Sequence, residues 1–206
     1  SSDVCSSDLF TITYVGNIGN GQNLQSLLRV VEKLKEIRLV LIGNGNDFEI
    51  FRKQVRKKRL DNIYFTNKLE WEKVLPYYQH TSVLFARLDD NYSSAIPSKL
   101  FEYLSTGLPI IYCGEGEAAR LLKQFNHTIV LGSNDEAGLR NAILKLKSMG
   151  SEIAEENRDQ IHRKYIRELI NMKIDQVIAD VTGTEIPEKT LVPVKENEPE
   201  LSLFVS

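Results

Sequence analysis

From Phe10 onward the chain alternates short runs rich in apolar residues with longer stretches in which apolar residues recur every three or four positions. Phe10–Val15 is the first such run and predicts a strand. A glycine-rich turn follows it, and then Leu24, Leu27, Leu28, Val31 and Leu34 hold the spacing of one helical face. The unit then repeats: Ile37–Ile42 predicts a second strand, Asp47 to about Leu60 a helix, Asn62–Thr66 a third strand and Glu70–Gln79 another helix. Ser82–Ala86 predicts the fourth strand. Pro97 or Ser98 opens a helix running to Ser105, which Gly107 and Pro109 end before a fifth strand at Ile110–Tyr112. Residues 117–125 read as helix, Thr128–Leu131 as a sixth strand, and Leu139, Ala142, Ile143 and Leu146 mark a further helix. Beyond it, Ile166, Leu169, Ile170, Ile174, Val177 and Val181 form one apolar stripe.

Strands that alternate with helices imply a parallel sheet, because each parallel pair needs a crossover and the crossover helix packs on the sheet. The expected fold class is therefore α/β, a doubly wound, Rossmann-like parallel sheet over residues 10–182. Residues 1–9 repeat Ser-Ser-Asp without apolar periodicity and read as a disordered or artefactual segment; the string resembles translated sequencing-adapter read-through, which would place more protein upstream. Residues 183–206, rich in Glu, Lys and Pro, read as a mobile tail. Ligands of such sheets bind outside the carboxyl ends of the strands, which directs attention to residues 16–23, 43–47, 66–70, 87–97 and 113–117.

Charge and composition narrow the partners. With 26 basic and 28 acidic residues the net charge is −2, which argues against a nucleic-acid binder. No apolar run reaches the ~18–20 residues of a membrane span, and no charged-then-apolar leader is visible, so a cytoplasmic protein is expected. Cys5 and Cys113 supply neither a disulfide framework nor a metal cluster.

Two of the strand-end loops carry candidate chemistry. Gly16, Gly19 and Gly21 let backbone amides approach a phosphate at the start of a helix, although the spacing fits neither a Walker loop nor Gly-x-Gly-x-x-Gly, and a tight turn explains them equally well; the same holds for Gly43 and Gly45. Lys99 and Glu102, three residues apart, share a helix face while Leu100, Phe101 and Leu104 turn toward a core. Such a pair could neutralise a phosphate and accept hydrogen bonds from vicinal hydroxyls, or it could be an exposed helical ion pair worth about 0.3–0.5 kcal/mol.

The segment Ser94-Ala-Ile-Pro-Ser-Lys-Leu-Phe-Glu-Tyr-Leu-Ser-Thr-Gly-Leu-Pro-Ile-Ile111 resembles the signature of retaining glycosyltransferases of family 4, Pro-x-Lys-x-x-Glu-Tyr-x-x-x-Gly-x-Pro followed by a strand. Tyr14-Val-Gly-Asn-Ile-Gly, Leu41-Ile-Gly-Asn-Gly and Asn62-Ile-Tyr-Phe resemble flanking pieces of the same family in the same order. The likeness spans roughly residues 10–181 and is greatest to bacterial enzymes that build surface polysaccharides. It implies the C-terminal, donor-binding half of a GT-B architecture. It also implies a missing N-terminal Rossmann domain, a nucleotide-sugar donor of UDP-hexose or UDP-N-acetylhexosamine type, a saccharide or lipid-linked acceptor, transfer with retention, and no metal or other cofactor.

Carried over by position, the resemblance assigns Lys99 and Glu102 to the reaction. It assigns Gly16, Asn17, Gly19, Gly43, Arg87 and Ser94, with Lys99 and Glu102, to donor binding. Three positions depart from the family: Ser94 stands where it has the first glutamate of its Glu, seven residues, Glu motif, and Asn17 and Gln22 stand where many members have Arg and Lys. Two alternatives stay open, a non-catalytic Rossmann-like interaction module and part of a UDP-sugar epimerase. Arg52, Lys53, Arg56, Lys57, Lys58 and Arg59 read as a solvated helix face that could also meet anionic lipid at the inner membrane surface. His80, His127 and His162 share no ligand spacing, Glu115 and Glu117 are expected to cap the following helix, and the sequons at Asn91 and Asn126 read as chance matches.

Overall fold

The computed structural model describes residues 9–150 and 153–165. The chain divides into two compact units, residues 1–161 and 162–206, and the fold described below is that of the first. Its six strands are β1 (Phe10–Val15), β2 (Ile37–Ile42), β3 (Ile63–Thr66), β4 (Val83–Arg87), β5 (Ile110–Cys113) and β6 (Thr128–Leu131). They form one parallel sheet in the order β3-β2-β1-β4-β5-β6. The helices are α1 (Gln25–Val31), α2 (Phe48–Lys57), α3 (Trp71–Gln79), α4 (Lys99–Thr106), α5 (Glu117–Leu122), α6 (Glu136–Met149) and α7 (Glu155–Tyr165). The expected doubly wound, Rossmann-like fold is what the chain adopts.

The central strands are rich in apolar residues on both faces because both faces are covered. β2 and β4 are buried along their whole length, and one continuous cluster joins Ile12, Leu39, Phe85 and Ile111 of the sheet to Leu28 of α1 and Ile143 of α6. Where a polar side chain enters this interior it finds a partner: Thr13 shares a 2.7 Å hydrogen bond with the Thr81 hydroxyl, which itself donates to the Tyr77 carbonyl. Helix ends explain two departures from the sequence expectation. α1 stops at Val31 although Leu34 stays buried in the following turn, because the buried Asn62 amide donates to the carbonyls of Val31, Leu34 and Ile37 at that end. α2 stops at Lys57, short of Leu60, because Arg59 is left-handed and the Leu60 N–H returns to the Val55 carbonyl.

In α4 it is Tyr103, rather than Phe101, that joins Leu100 and Leu104 in the core; Phe101 lies about 100° further round the helix and is half-buried. The stripe from Ile166 to Val181 lies outside the described residues. β1 has β2 on one side and β4 on the other, so the winding direction reverses between β1 and β4. At such a reversal the loops leaving the two strands diverge and open a crevice at the carboxyl edge of the sheet.

Candidate active site

The crevice is bounded by residues 16–24 after β1 and 88–98 after β4. The two segments are tied together, since the Asp89 N–H donates to the Gly21 carbonyl at 2.8 Å. The first segment also lies directly on the turn after β2: the Gly16 and Ile18 N–H groups donate to the carbonyls of Ile42 and Asn44, both at 2.9 Å. Gly43 carries a φ of +143°, and a Cβ there would overlap the Gly16 carbonyl oxygen. Gly43 thus seats the Gly16 turn against its neighbour.

Lys99 opens α4 on the other wall, and its side chain crosses to β1. Its ammonium donates to the Tyr14 hydroxyl at 2.7 Å and stands 4.1 Å from the centre of the Tyr14 ring, while the Tyr14 hydroxyl donates to the Asn17 carbonyl at 2.5 Å. The ammonium also lies against Gly16, where a Cβ would come within 2.5 Å of Nζ. Gly16 has a φ of +143°, so glycine here serves both the turn and the close approach of the cation.

Glu102, one turn further on, goes elsewhere: its Oε1 accepts a short hydrogen bond from Tyr78 of α3. Among the described residues no ion pair joins Lys99 to Glu102, so the exposed helical pair considered from the sequence is not formed. Each charge is instead drawn into the fold by a tyrosine. Burial lowers the Lys99 ammonium to about 8, with the Glu102 charge pulling the other way. Burial raises Glu102, opposed by the Tyr78 hydrogen bond and by Lys99. Lys99 is still largely protonated at neutral pH, a cation stripped of water whose partner is a neutral phenol. An anion at the glycine turn would supply the charge it lacks.

The other candidate residues are placed as follows. Asn17 is exposed and its Nδ2 donates to Gln22 Oε1 at 3.0 Å, so the two positions where the resemblance calls for cations hold each other. Gly19 is buried and its carbonyl accepts from the N–H groups of Gln22 and Asn23. Ser94 is exposed in the segment leading to α4. Arg87 is 3% exposed at the end of β4, and its guanidinium donates to Ser26 of α1 at 2.7 Å and to Asn134 at 3.4 Å. It is therefore directed toward α1 and the start of α6, with none of its hydrogen bonds going to the Gly16 turn.

Beside Arg87, burial pushes the Cys113 thiol up to about 12, which leaves it unionised at neutral pH. The expected capping role of Glu117 is not what the structure has: α5 begins at Glu117, after Gly116, without a side-chain cap, and the Glu117 carboxylate pairs with Arg120 while its N–H donates to the Ser93 carbonyl. Among the described residues no three His, Cys, Asp or Glu side chains gather into a metal site. No described helix is long and apolar enough to cross a membrane.

Sequence reasoning missed the tyrosines. Tyr14, Tyr78 and Tyr103 are fully or nearly fully buried, and Tyr103 fixes α4 to β1 by accepting the Val15 N–H at 2.7 Å. Tyr78 stands seven residues after Trp71, a spacing that puts both on one stripe of α3 and was the available signal.

The domain is thus a doubly wound α/β sheet in which, among the described residues, Lys99 rests on a glycine turn near the point of reversal with a phenol as its partner and no carboxylate in an ion pair with it. The chain belongs to the family described as glycosyl transferases group 1, whose sequence model matches residues 5–167. No curated protein sequence matches this one. Among solved structures the chain is similar to sucrose-phosphate synthase from Thermosynechococcus elongatus, with TM-score 0.73 and 17% identity over 87% of this chain and 47% of that one. It is also similar to HepE of Anabaena in complex with UDP and glucose, with TM-score 0.69 and 13% identity over 86% and 49%. A third likeness is to the catalytic domain of the cholesterol-alpha-glucosyltransferase from Helicobacter pylori, with TM-score 0.60 and 17% identity over 75% and 98%. The chain thus spans about half the length of the first two.

Proposed function

We propose that this chain is the donor-binding half of a retaining, family 4 glycosyltransferase of GT-B architecture. It takes a UDP-sugar of hexosyl or N-acetylhexosaminyl type and works with a preceding Rossmann-like domain that holds a saccharide or lipid-linked acceptor. The observation that carries the reading is Lys99, a partly buried ammonium resting on Gly16 at the point where the sheet reverses, with a phenol in place of a counter-anion. That the group 1 family matches, and that HepE was solved with UDP and glucose, supports a nucleotide-sugar as the anion.

On this reading the donor diphosphate lies along the Gly16 turn and takes a hydrogen bond from Lys99, while Glu102 accepts from the ribose hydroxyls. As the bond between the anomeric carbon and the diphosphate oxygen breaks, negative charge gathers on the departing diphosphate. Lys99 and the backbone N–H groups of the turn stabilise it in place, without a metal ion. The acceptor hydroxyl attacks the anomeric carbon from the face the diphosphate leaves, and its proton passes to the leaving phosphate oxygen, which balances the step. No side-chain nucleophile is needed. The protein works in the cytoplasm, where the exposed cations of α2 can rest against anionic lipid.

Titration of the chain with UDP by calorimetry tests the site: Lys99→Ala and Glu102→Ala are each expected to weaken binding by about 1–3 kcal/mol, the range for charged hydrogen bonds. Undiminished UDP binding by both variants overturns the assignment. The neutral Asn17–Gln22 bridge favours a second reading, a Rossmann-like interaction module that has lost its nucleotide. Silence of the unmodified chain toward a panel of nucleotides would select it.

A further inference from the structure

Four carboxylates lie on the two loops that meet at Ser93, residues 88–98 after β4 and 113–117 after β5, and three of them are engaged. Asp89 accepts from the N–H and Nδ2 of Asn91 at 3.1 and 2.6 Å, Asp90 accepts from the Ser133 hydroxyl, and Glu117 pairs with Arg120. Glu115 is exposed, and among the described residues its carboxylate takes part in no hydrogen bond or ion pair. A single exposed glutamate is ordinary on a protein surface. What distinguishes Glu115 is how closely the backbone on either side of it is seated.

Gly114 and Gly116 flank it with φ of +152° and +80°. A Cβ on Gly114 would come within 2.9 Å of the Leu88 carbonyl oxygen, and one on Gly116 would overlap the Ser93 carbonyl oxygen. The Leu88 N–H donates to the Cys113 carbonyl at 3.3 Å and the Glu117 N–H to the Ser93 carbonyl at 2.8 Å, so the loop is stitched at both ends to the segment that bounds the crevice. Glu115 lies between the two stitches, and Ser94 follows the second. Against the same loop the Tyr112 hydroxyl is buried without a hydrogen-bond partner, 2.8 Å from where a Gly114 Cβ would stand. The loop thus carries an unengaged carboxylate on its exposed side and an unengaged hydroxyl on its buried side, a pairing that a polar ligand satisfies.

We propose that Glu115 recognises the sugar to be transferred, accepting hydrogen bonds from its ring hydroxyls in place of the carboxylate that the chain lacks at Ser94. This rests on the donor-site reading above and departs from the motif that reading drew on, because the carboxylate comes from the loop after β5 instead of the segment before α4. A carboxylate accepts from two hydroxyls at once and holds them more strongly than a neutral acceptor. It also repels a like charge, so a neutral hexose or N-acetylhexosamine is favoured over a uronic acid. The glycine contacts fix the Glu115 backbone against the wall of the crevice, which leaves only the side chain to be ordered on binding.

Calorimetric titration with UDP, UDP-glucose, UDP-N-acetylglucosamine and UDP-glucuronic acid tests the assignment. Glu115→Gln, an isosteric change on an exposed side chain, should bind whichever neutral sugar nucleotide the unmodified chain prefers about tenfold more weakly, within the range for a lost hydrogen bond to a charged group. Its affinity for UDP should stay within about twofold, as for a screened surface charge. Its affinity for UDP-glucuronic acid should rise, an opposite change that a merely structural role would not produce. Returning the carboxylate by Ser94→Glu in the Glu115→Gln background should restore most of the loss. Glu117→Gln, on the same loop but paired with Arg120, should leave the binding of every ligand unchanged. If Glu115→Gln binds both neutral sugar nucleotides as the unmodified chain does, or loses UDP to the same extent, the proposal is overturned and the phosphate site stands. An unmodified chain that binds neither UDP nor any of the sugar nucleotides removes the donor site and the proposal together.

Discussion

Two helices of this domain invite comparison because each follows a strand and each carries lysine. α2 and the two residues after it hold six basic residues between Arg52 and Arg59, and five of these are exposed. Its charges are met at the surface by carboxylates, Arg52 by Glu49 at 3.1 Å and Lys58 by Glu32 at 2.5 Å. α4 holds a single lysine, withdrawn from water and given a phenol for a partner. By number of charges α2 is the better anion site; by desolvation α4 is. A hydrated, screened cation gains little when an anion arrives, whereas one that folding has stripped of water and left without a counter-charge gains a great deal. Charge density read along the sequence and burial read from the fold thus single out different helices.

The comparison can be broken in three ways, taken in order of expected effect. Gly43→Ala should be the most damaging, because the new methyl overlaps the Gly16 carbonyl at a positive φ. We expect a loss of about 3 kcal/mol of stability, measured by urea denaturation, together with loss of UDP binding. A stable Gly43→Ala chain that still binds UDP would mean that the Gly16 turn does not need its seat.

The second is pH. Lys99 is depressed to about 8 in the folded chain, so UDP affinity should hold steady below that pH and fall by up to about tenfold per unit above it. Lys99→Arg, which stays protonated, should flatten that decline. The sign for folding is the reverse. Between about 8 and the ordinary lysine value near 10.5 the unfolded chain holds more protons than the folded one, so Lys99 makes stability rise with pH through that window. Removing the charge with Lys99→Met should abolish the rise, which chemical denaturation at pH 8 and pH 10 would reveal.

The smallest effect belongs to α2. Lys57→Ala and Arg56→Ala should change UDP affinity by less than about twofold, as expected for screened surface charges. A larger loss in calorimetric titrations would reverse the ranking of the two helices.

Much of the fold was legible in the sequence. Every strand was found within one or two residues of its observed limits, because runs such as Ile37–Ile42 can only be buried on both faces. What escaped were helix ends set by distant groups. Nothing near Val31 announces that Asn62 will take its carbonyl, since that partner arrives from 31 residues away.

The candidate site divides in the same manner. The Lys99 and Glu102 spacing was visible, but their partners were not, because a tyrosine that packs in a core and one that also holds a charge look alike in sequence. Arg87 had the opposite problem. A cation at the end of a strand suggests a ligand, yet its hydrogen bonds go to Ser26 and Asn134, which only the packing of α1 and α6 determines.

The segment between β4 and α4 has one further consequence. It is moored by the Leu88 N–H to Cys113, by the Asp89 N–H to Gly21 and by the Ser93 carbonyl to Glu117. After Ser93, the residues Ser94, Ala95 and Ile96 are exposed and precede α4 by a few positions. The tripeptide thus lies between three backbone hydrogen bonds on one side and the buried body of α4 on the other. Substitutions in it leave untouched the backbone hydrogen bonds that hold the frame around Lys99.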